Sequence, residues 1–106
     1  MIQMTSELNR LLAEKVLGWQ IDDSAPDAPA YAVVPDFATW AGIGLLMEHH
    51  RHDAEMVNLI CWPLTYPSWC YCIDRLNGDS ISISAPTPGQ AVCEVALRLA
   101  GLEAPE

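Results

Sequence analysis

The sequence predicts an α+β domain: three amphipathic helices against an antiparallel or mixed sheet of about four strands, in the order α-β-α-β-β-β-α, with sandwich-like layering. Three observations carry this expectation. Helical apolar spacing with its own start and stop signals lies at both ends of the chain, apolar and polar residues alternate over 55–62 and 69–84, and the turn pair Asn77-Gly78 divides the second alternating stretch. With 106 residues there is chain for one core, so a single domain spanning 1–106 is expected, with a short flexible tail at 103–106.

The first helix is read from Leu8, Leu11, Leu12 and Val16, which share one face at three-and-four spacing. Thr5 or Ser6 supplies the N-cap and Gly18 a left-handed stop. Trp19-Gln20-Ile21 is read as the start of a short strand, and 22–30, with Asp22-Asp23, Pro26 and Pro29, as an irregular exposed loop. Tyr31-Ala32-Val33-Val34 is expected to be a strand ending at Pro35. Asp36 then caps a second helix running to about His52, with Phe37, Trp40, Ile43, Met47 and His50 on one stripe and Leu46 beside it. Gly42 and Gly44 each cost such a helix about 1 kcal/mol relative to alanine, unless a neighbouring backbone packs closely there.

Residues 55–62 place Val57, Leu59 and Cys61 on one face and Met56, Ile60 and Trp62 on the other, the pattern of a central strand buried on both sides. Pro63 and Pro67 bracket a loop, because proline cannot donate to a ladder. A hairpin over 69–84 follows. A three-residue loop, Asn77-Gly78-Asp79, pairs Ile73 with Ile83 and Arg75 with Ile81, and separates apolar from polar side chains better than a two-residue turn does. Trp69, Tyr71, Ile73, Ile81 and Ile83 are then core, with Cys70, Cys72 and Asp74 on the more polar side. The last helix has Thr87 as N-cap, Pro88 at its first position, Gln90 placed for a capping box, a buried stripe of Ala91, Val92, Val95 and Leu99, and Gly101 as its stop.

Composition narrows the function. A chain that is 51% apolar and 18% charged has the balance of a folded domain. Fourteen acids against five bases give a formal charge of −9, which repels nucleic acid and anionic membranes, so direct binding to either is not expected. No apolar run has the roughly 18–20 residues of a membrane span, and Met1-Ile2-Gln3-Met4 lacks a secretion signal, so a cytoplasmic location and free thiols at Cys61, Cys70, Cys72 and Cys93 are expected.

The order of elements resembles the phage ABA sandwich domain family. The resemblance is opened by Leu8-Asn9-Arg10-Leu11-Leu12-Ala13-Glu14-Lys15-Val16-Leu17-Gly18-Trp19 and closed by Ala85-Pro86-Thr87-Pro88-Gly89-Gln90-Ala91-Val92-Cys93-Glu94-Val95-Ala96-Leu97. It covers nearly the whole chain and rests on packing patterns; the middle, 36–76, departs most. It implies a sheet sandwiched by helices and an origin in a phage or prophage, and it brings no catalytic residues. By analogy with small acidic phage proteins, it also suggests inhibition of a bacterial defence component, as anti-CRISPR proteins do.

Candidate sites follow from residue type. Trp62, Tyr66 and Trp69 surround Pro63-Leu64-Thr65-Tyr66-Pro67, a connection that lies at a surface or edge, and interfaces are enriched in such aromatics. With the acids Asp22, Asp23 and Asp27 they form the expected partner-binding surface, and the expected partner is a host protein, a nucleic-acid-binding defence protein among the candidates, whose basic site an acidic face blocks. The alternative is a metal- or small-molecule-binding module at His49, His50, His52, Cys70 and Cys72. Against its metal version, the histidines and cysteines lack zinc-site spacing, and strand rise separates Cys70 from Cys72 by about 7 Å. The histidines otherwise sit at a helix C-terminus whose dipole favours partial protonation, while Cys61 and Cys93 are small core residues. Ser80, Ser82 and Ser84 alternate without a nucleophile elbow, Gly42-Ile43-Gly44 does not complete a nucleotide fingerprint, and Asp22-Asp23-Ser24 is not a calcium loop. The chain is therefore expected to be no enzyme and to carry no cofactor and no metal.

Overall fold

Both terminal helices form where their caps place them. The computed structural model describes residues 2–19, 34–64 and 66–103. Thr5 accepts from the Leu8 amide at 3.2 Å and starts α1, Ser6–Leu11. The chain then widens into a π-helical turn, Leu12–Val16, in which the Leu17 amide reaches back to the Leu12 carbonyl. Gly18 takes the left-handed stop at φ 74°, and the Trp19 amide closes on the Ala13 carbonyl, so Trp19 ends the helix where a strand was expected to begin. Thr87 accepts from the Gln90 amide and starts α3, Pro88–Ala100. Gln90 uses its side chain differently from the expected box: its Oε1 accepts from the Thr87 hydroxyl, and its Nε2 donates to the Ile2 carbonyl, fastening the N-terminal segment to α3. Gly101, at φ 70°, closes α3 with the Leu102 amide bonded to the Leu97 carbonyl.

The second helix, α2, is Trp40–Arg51 and starts three residues later than expected, with Thr39 as its N-cap. Asp36 caps the turn before it, accepting from the Ala38 amide through Oδ1 and from Thr39 through its carbonyl. This turn carries the fully buried Phe37, whose amide donates to Asn9 Oδ1 of α1. Its backbone is seated between two helical glycines. A Cβ on Gly42 would collide with the Asp36 carbonyl and lie 2.7 Å from Phe37 Cα, and one on Gly89 would lie 2.9 Å from the Phe37 carbonyl oxygen. Gly42 thus meets the close backbone that justifies a glycine in a helix; Gly44 meets nothing within 4 Å.

Three strands, not four, occur among the described residues: β1 Ala54–Cys61, β2 Trp69–Arg75 and β3 Ser80–Ala85, antiparallel in the order β1-β2-β3. Of the strand expected at 31–34, only Val34 lies within the described residues, and it is not in a strand; the loop expected at 22–30 lies outside them. Among the described residues β1 pairs on one side only, with β2, and β2 lies between β1 and β3, where 55–62 was expected to be central. Met56 and Asn58 are exposed on its outer side, and the apolar run had suggested more cover than it receives. A bulge at Glu55 shifts the β1–β2 register between Ala54 and Met56.

The hairpin pairs Ile73 with Ile81 and Tyr71 with Ile83, two residues away from the expected register. Its loop is Leu76-Asn77-Gly78: the Gly78 amide returns to the Arg75 carbonyl, Gly78 lies at φ 93°, and the Arg75 amide bonds the Asp79 carbonyl. The left-handed position belongs to the third loop residue, so glycine at 78 requires the loop to begin at Leu76. A slip of two keeps every side chain on its face. Val57, Ile73 and Ile81 form one row, and Leu59, Tyr71 and Ile83 the next, all turned to the helices as expected.

Helices α2 and α3 pack on this one face, α2 over β1 and α3 over β2 and β3, and the π-helical turn packs against α3. The core joins Leu8, Leu12, Phe37, Ile43, Leu46, Tyr71, Ile73, Val92 and Val95. Each such fully buried aliphatic side chain contributes about 1.5–3 kcal/mol. Among the described residues no helix covers the other face, which presents Asn58, Cys70, Cys72, Asp74 and the three serines of β3. The layering is helices on sheet, and the second helical layer implied by the family resemblance is not present in the described residues. No helix is long and apolar enough to cross a membrane among the described residues.

Candidate functional site

Aromatic side chains gather at the end of the sheet where β1 leaves and β2 returns. The connection, 62–68, is held at its base by the Trp62 amide, which bonds the Ser68 carbonyl at 2.6 Å, and contains a cis Tyr66–Pro67 peptide. Neither proline can donate a ladder hydrogen bond, so the segment turns outward. Trp62 is 54% exposed, Tyr66 80% and Leu64 completely. Trp69, the first residue of β2, is half-buried, and its ring meets that of Trp40 edge-on at 5.7 Å between centroids. Trp40 is itself 63% exposed, so it leaves the buried stripe of α2 where the sequence pattern had placed it. It joins this surface instead. The helical period put it in line with Ile43 and His50, but at the first residue of α2 its ring packs edge-on against that of Trp69 and stays largely exposed.

Of the expected partner-binding residues, Trp62 and Tyr66 are exposed in the connection and Trp69 follows it at the start of β2, where its ring meets that of Trp40, a residue the sequence pattern had not placed here. Asp22, Asp23 and Asp27 lie outside the described residues.

The polar candidates divide between the two sides of the sheet. His49, His50 and His52 are at the end of α2, but only His50 turns inward, while His49 and His52 are exposed. His50 Nδ1 lies 2.9 Å from the Tyr71 hydroxyl, and His49 packs edge-on against it. Desolvation, and secondarily the neighbouring His49, push the His50 imidazole down to about 4. Burial thus overrides the helix-end dipole that had suggested partial protonation. It also drives the Tyr71 phenol upward, so both groups are neutral near pH 7.

Cys70 and Cys72 face the other way, and the sheet itself separates them from the histidines. Their sulfurs lie 3.5 Å apart, closer than the strand rise suggested, because the two side chains lean together over Ser82, whose hydroxyl is 3.2 Å from each. The Ser82 hydrogen bond lowers the Cys70 pKa. Cys72 moves up through desolvation and the adjacent Cys70, which outweigh its own Ser82 bond. Cys93 is buried as expected and its thiol is pushed up to about 12, whereas Cys61 is exposed, contrary to the core position expected for it at the end of β1. All four thiols are free. Among the described residues no group of three or more His, Cys, Asp or Glu side chains could hold a metal ion.

The fold has a solved counterpart. A phage protein from Bacillus cereus ATCC 14579 is similar to this chain with a TM-score of 0.70 at 19% identity, over 99% of this chain and 98% of that one. At that identity the likeness is one of fold. No family model matches the chain, and no curated protein does.

Proposed function

We propose that this is a non-enzymatic phage or prophage accessory protein that binds and inhibits a host protein, with a component of bacterial defence as the target, in the way anti-CRISPR proteins act. The observation that carries the reading is the exposure of Trp40, Trp62, Leu64 and Tyr66, large apolar side chains at the end of the molecule where β1 leaves and β2 returns, on an otherwise acidic chain. Exposed large aromatic side chains are the type enriched in binding hot spots. Its fold, shared with a phage protein, and its charge of −9, suited to a basic site on a nucleic-acid-handling partner, support the same reading.

The test is capture from host lysate, identification of the partner, and direct measurement of its affinity for Trp62→Ala, Tyr66→Ala and Trp40→Ala. Truncation of a hot-spot aromatic costs 2 kcal/mol or more, so at least one variant is expected to weaken binding by roughly 30-fold. Unchanged affinity in all three would move the binding surface elsewhere.

A further inference from the structure

Five bases serve a chain with fourteen acids, and their placement is uneven. Arg10 pairs with Glu14, Arg51 with Glu48 and Arg98 with Glu94, each within one turn of a helix. Lys15 and Arg75 have no ion pair among the described residues. Both line the same cavity, of about 200 Å³, at the opposite end of the molecule from the aromatic group. It opens where the π-helical turn and the last turns of α2 and α3 meet the hairpin end of the sheet, and Val16, Ile73 and Leu99 give it an apolar wall.

His50 lines this cavity too, and it carries an unsatisfied polar atom. The residue is 7% exposed, and its Nε2 is buried without a hydrogen-bond partner. On its other ring nitrogen the imidazole is engaged with Tyr71, whose hydroxyl lies 2.9 Å from Nδ1.

We propose that this cavity binds a small molecule carrying one carboxylate on an apolar body, with Lys15 and Arg75 holding the carboxylate and Val16, Ile73 and Leu99 receiving the apolar part. Two features restrict the class. Asp53 also lines the cavity, and the carbonyl ends of α2 and α3 add partial negative charge of about half a unit each, so the two cations suffice for one negative group and oppose a polyanion. The remaining titratable lining group is His49, which is exposed. An apolar wall would be wasted on inorganic phosphate.

The test is amide and side-chain NMR titration of the intact chain with butyrate, with inorganic phosphate and 1-butanol as matched probes. Saturable shifts centred on Lys15, His50 and Arg75 are expected with butyrate, and larger affinity than for either control. Lys15→Met, at an exposed position that does not threaten the fold, and Arg75→Met should each weaken butyrate binding about ten-fold, the value of one charge-assisted contact. Absence of saturation with butyrate, equal affinity for butanol, tighter binding of phosphate, or an unaltered Lys15→Met titration would each overturn the assignment.

Discussion

The two ends of α2 show two ways of placing aromatic and polar side chains on one small fold. Trp40 begins the helix and His50 lies near its finish, about 15 Å further along at 1.5 Å per residue. At the first end the aromatic rings are displayed outward, and the fold beneath them is sealed separately by the turn carrying Phe37. At the second end the polar groups are part of the core itself, since His50 and Tyr71 are buried together and bonded to each other. Removing an exposed ring at the first end, Trp62 or Tyr66, should therefore alter binding and spare stability. Altering the second end should change stability and, with it, the response to pH.

The largest expected effect comes from His50. The folded imidazole titrates at about 4 and the unfolded one at 6.5, so between these values the unfolded chain holds the extra proton. The stability contribution is whole above pH 6.5, falls as the pH drops through that window and is gone below about 4. A difference of this size corresponds to about 3 kcal/mol. Urea unfolding at pH 7, 6, 5 and 4 measures it. In His50→Gln the pH slope over this range should lose close to one proton; an identical slope in wild type and variant would show that His50 is not the buried neutral group described.

Next in size is the seat of the Phe37 turn. Gly42→Ala drives a methyl group into the Asp36 carbonyl and the Phe37 backbone, atoms that cannot rotate away, and should destabilise by about 2–3 kcal/mol. Two residues later the outcome reverses. Gly44 faces open space, so Gly44→Ala should stabilise by up to about 1 kcal/mol, the helix-propensity difference alone. Thermal unfolding of the two variants side by side tests whether one glycine is there for contact and the other without any.

This pair also shows what the sequence could disclose. Both glycines sit in the same helical pattern and cost the same in propensity; what distinguishes them is a backbone from outside the helix, which no local pattern records. The caps at Thr5 and Thr87, the stops at Gly18 and Gly101, and the inward faces of β2 and β3 were readable because each is settled within a few residues. Hairpin register was missed by two, since strand alternation fixes only parity and the choice lay with the left-handed residue of the loop. The exposure of Trp62, Leu64 and Tyr66 was legible from Pro63 and Pro67, whereas that of Trp40 was not, because its place is set by tertiary contact with Trp69. Lys15 and Arg75 are 60 positions apart, and nothing in the sequence marks them as neighbours of one cavity.

The smallest expected effect sharpens the contrast most. Trp62 and Tyr66 expose most of their surface, and the Trp62 amide, which any residue would supply, makes the bond that closes the loop. Trp62→Ala and Tyr66→Ala should therefore shift stability by no more than about 0.5 kcal/mol, within the range of ordinary surface changes. Trp69→Ala is the useful comparison, because its half-buried ring covers the end of the sheet and its loss should also leave Trp40 without its partner. If Trp62→Ala or Tyr66→Ala proved as destabilising as Trp69→Ala, the exposed rings would belong to the core, and the first end of the molecule would be built like the second.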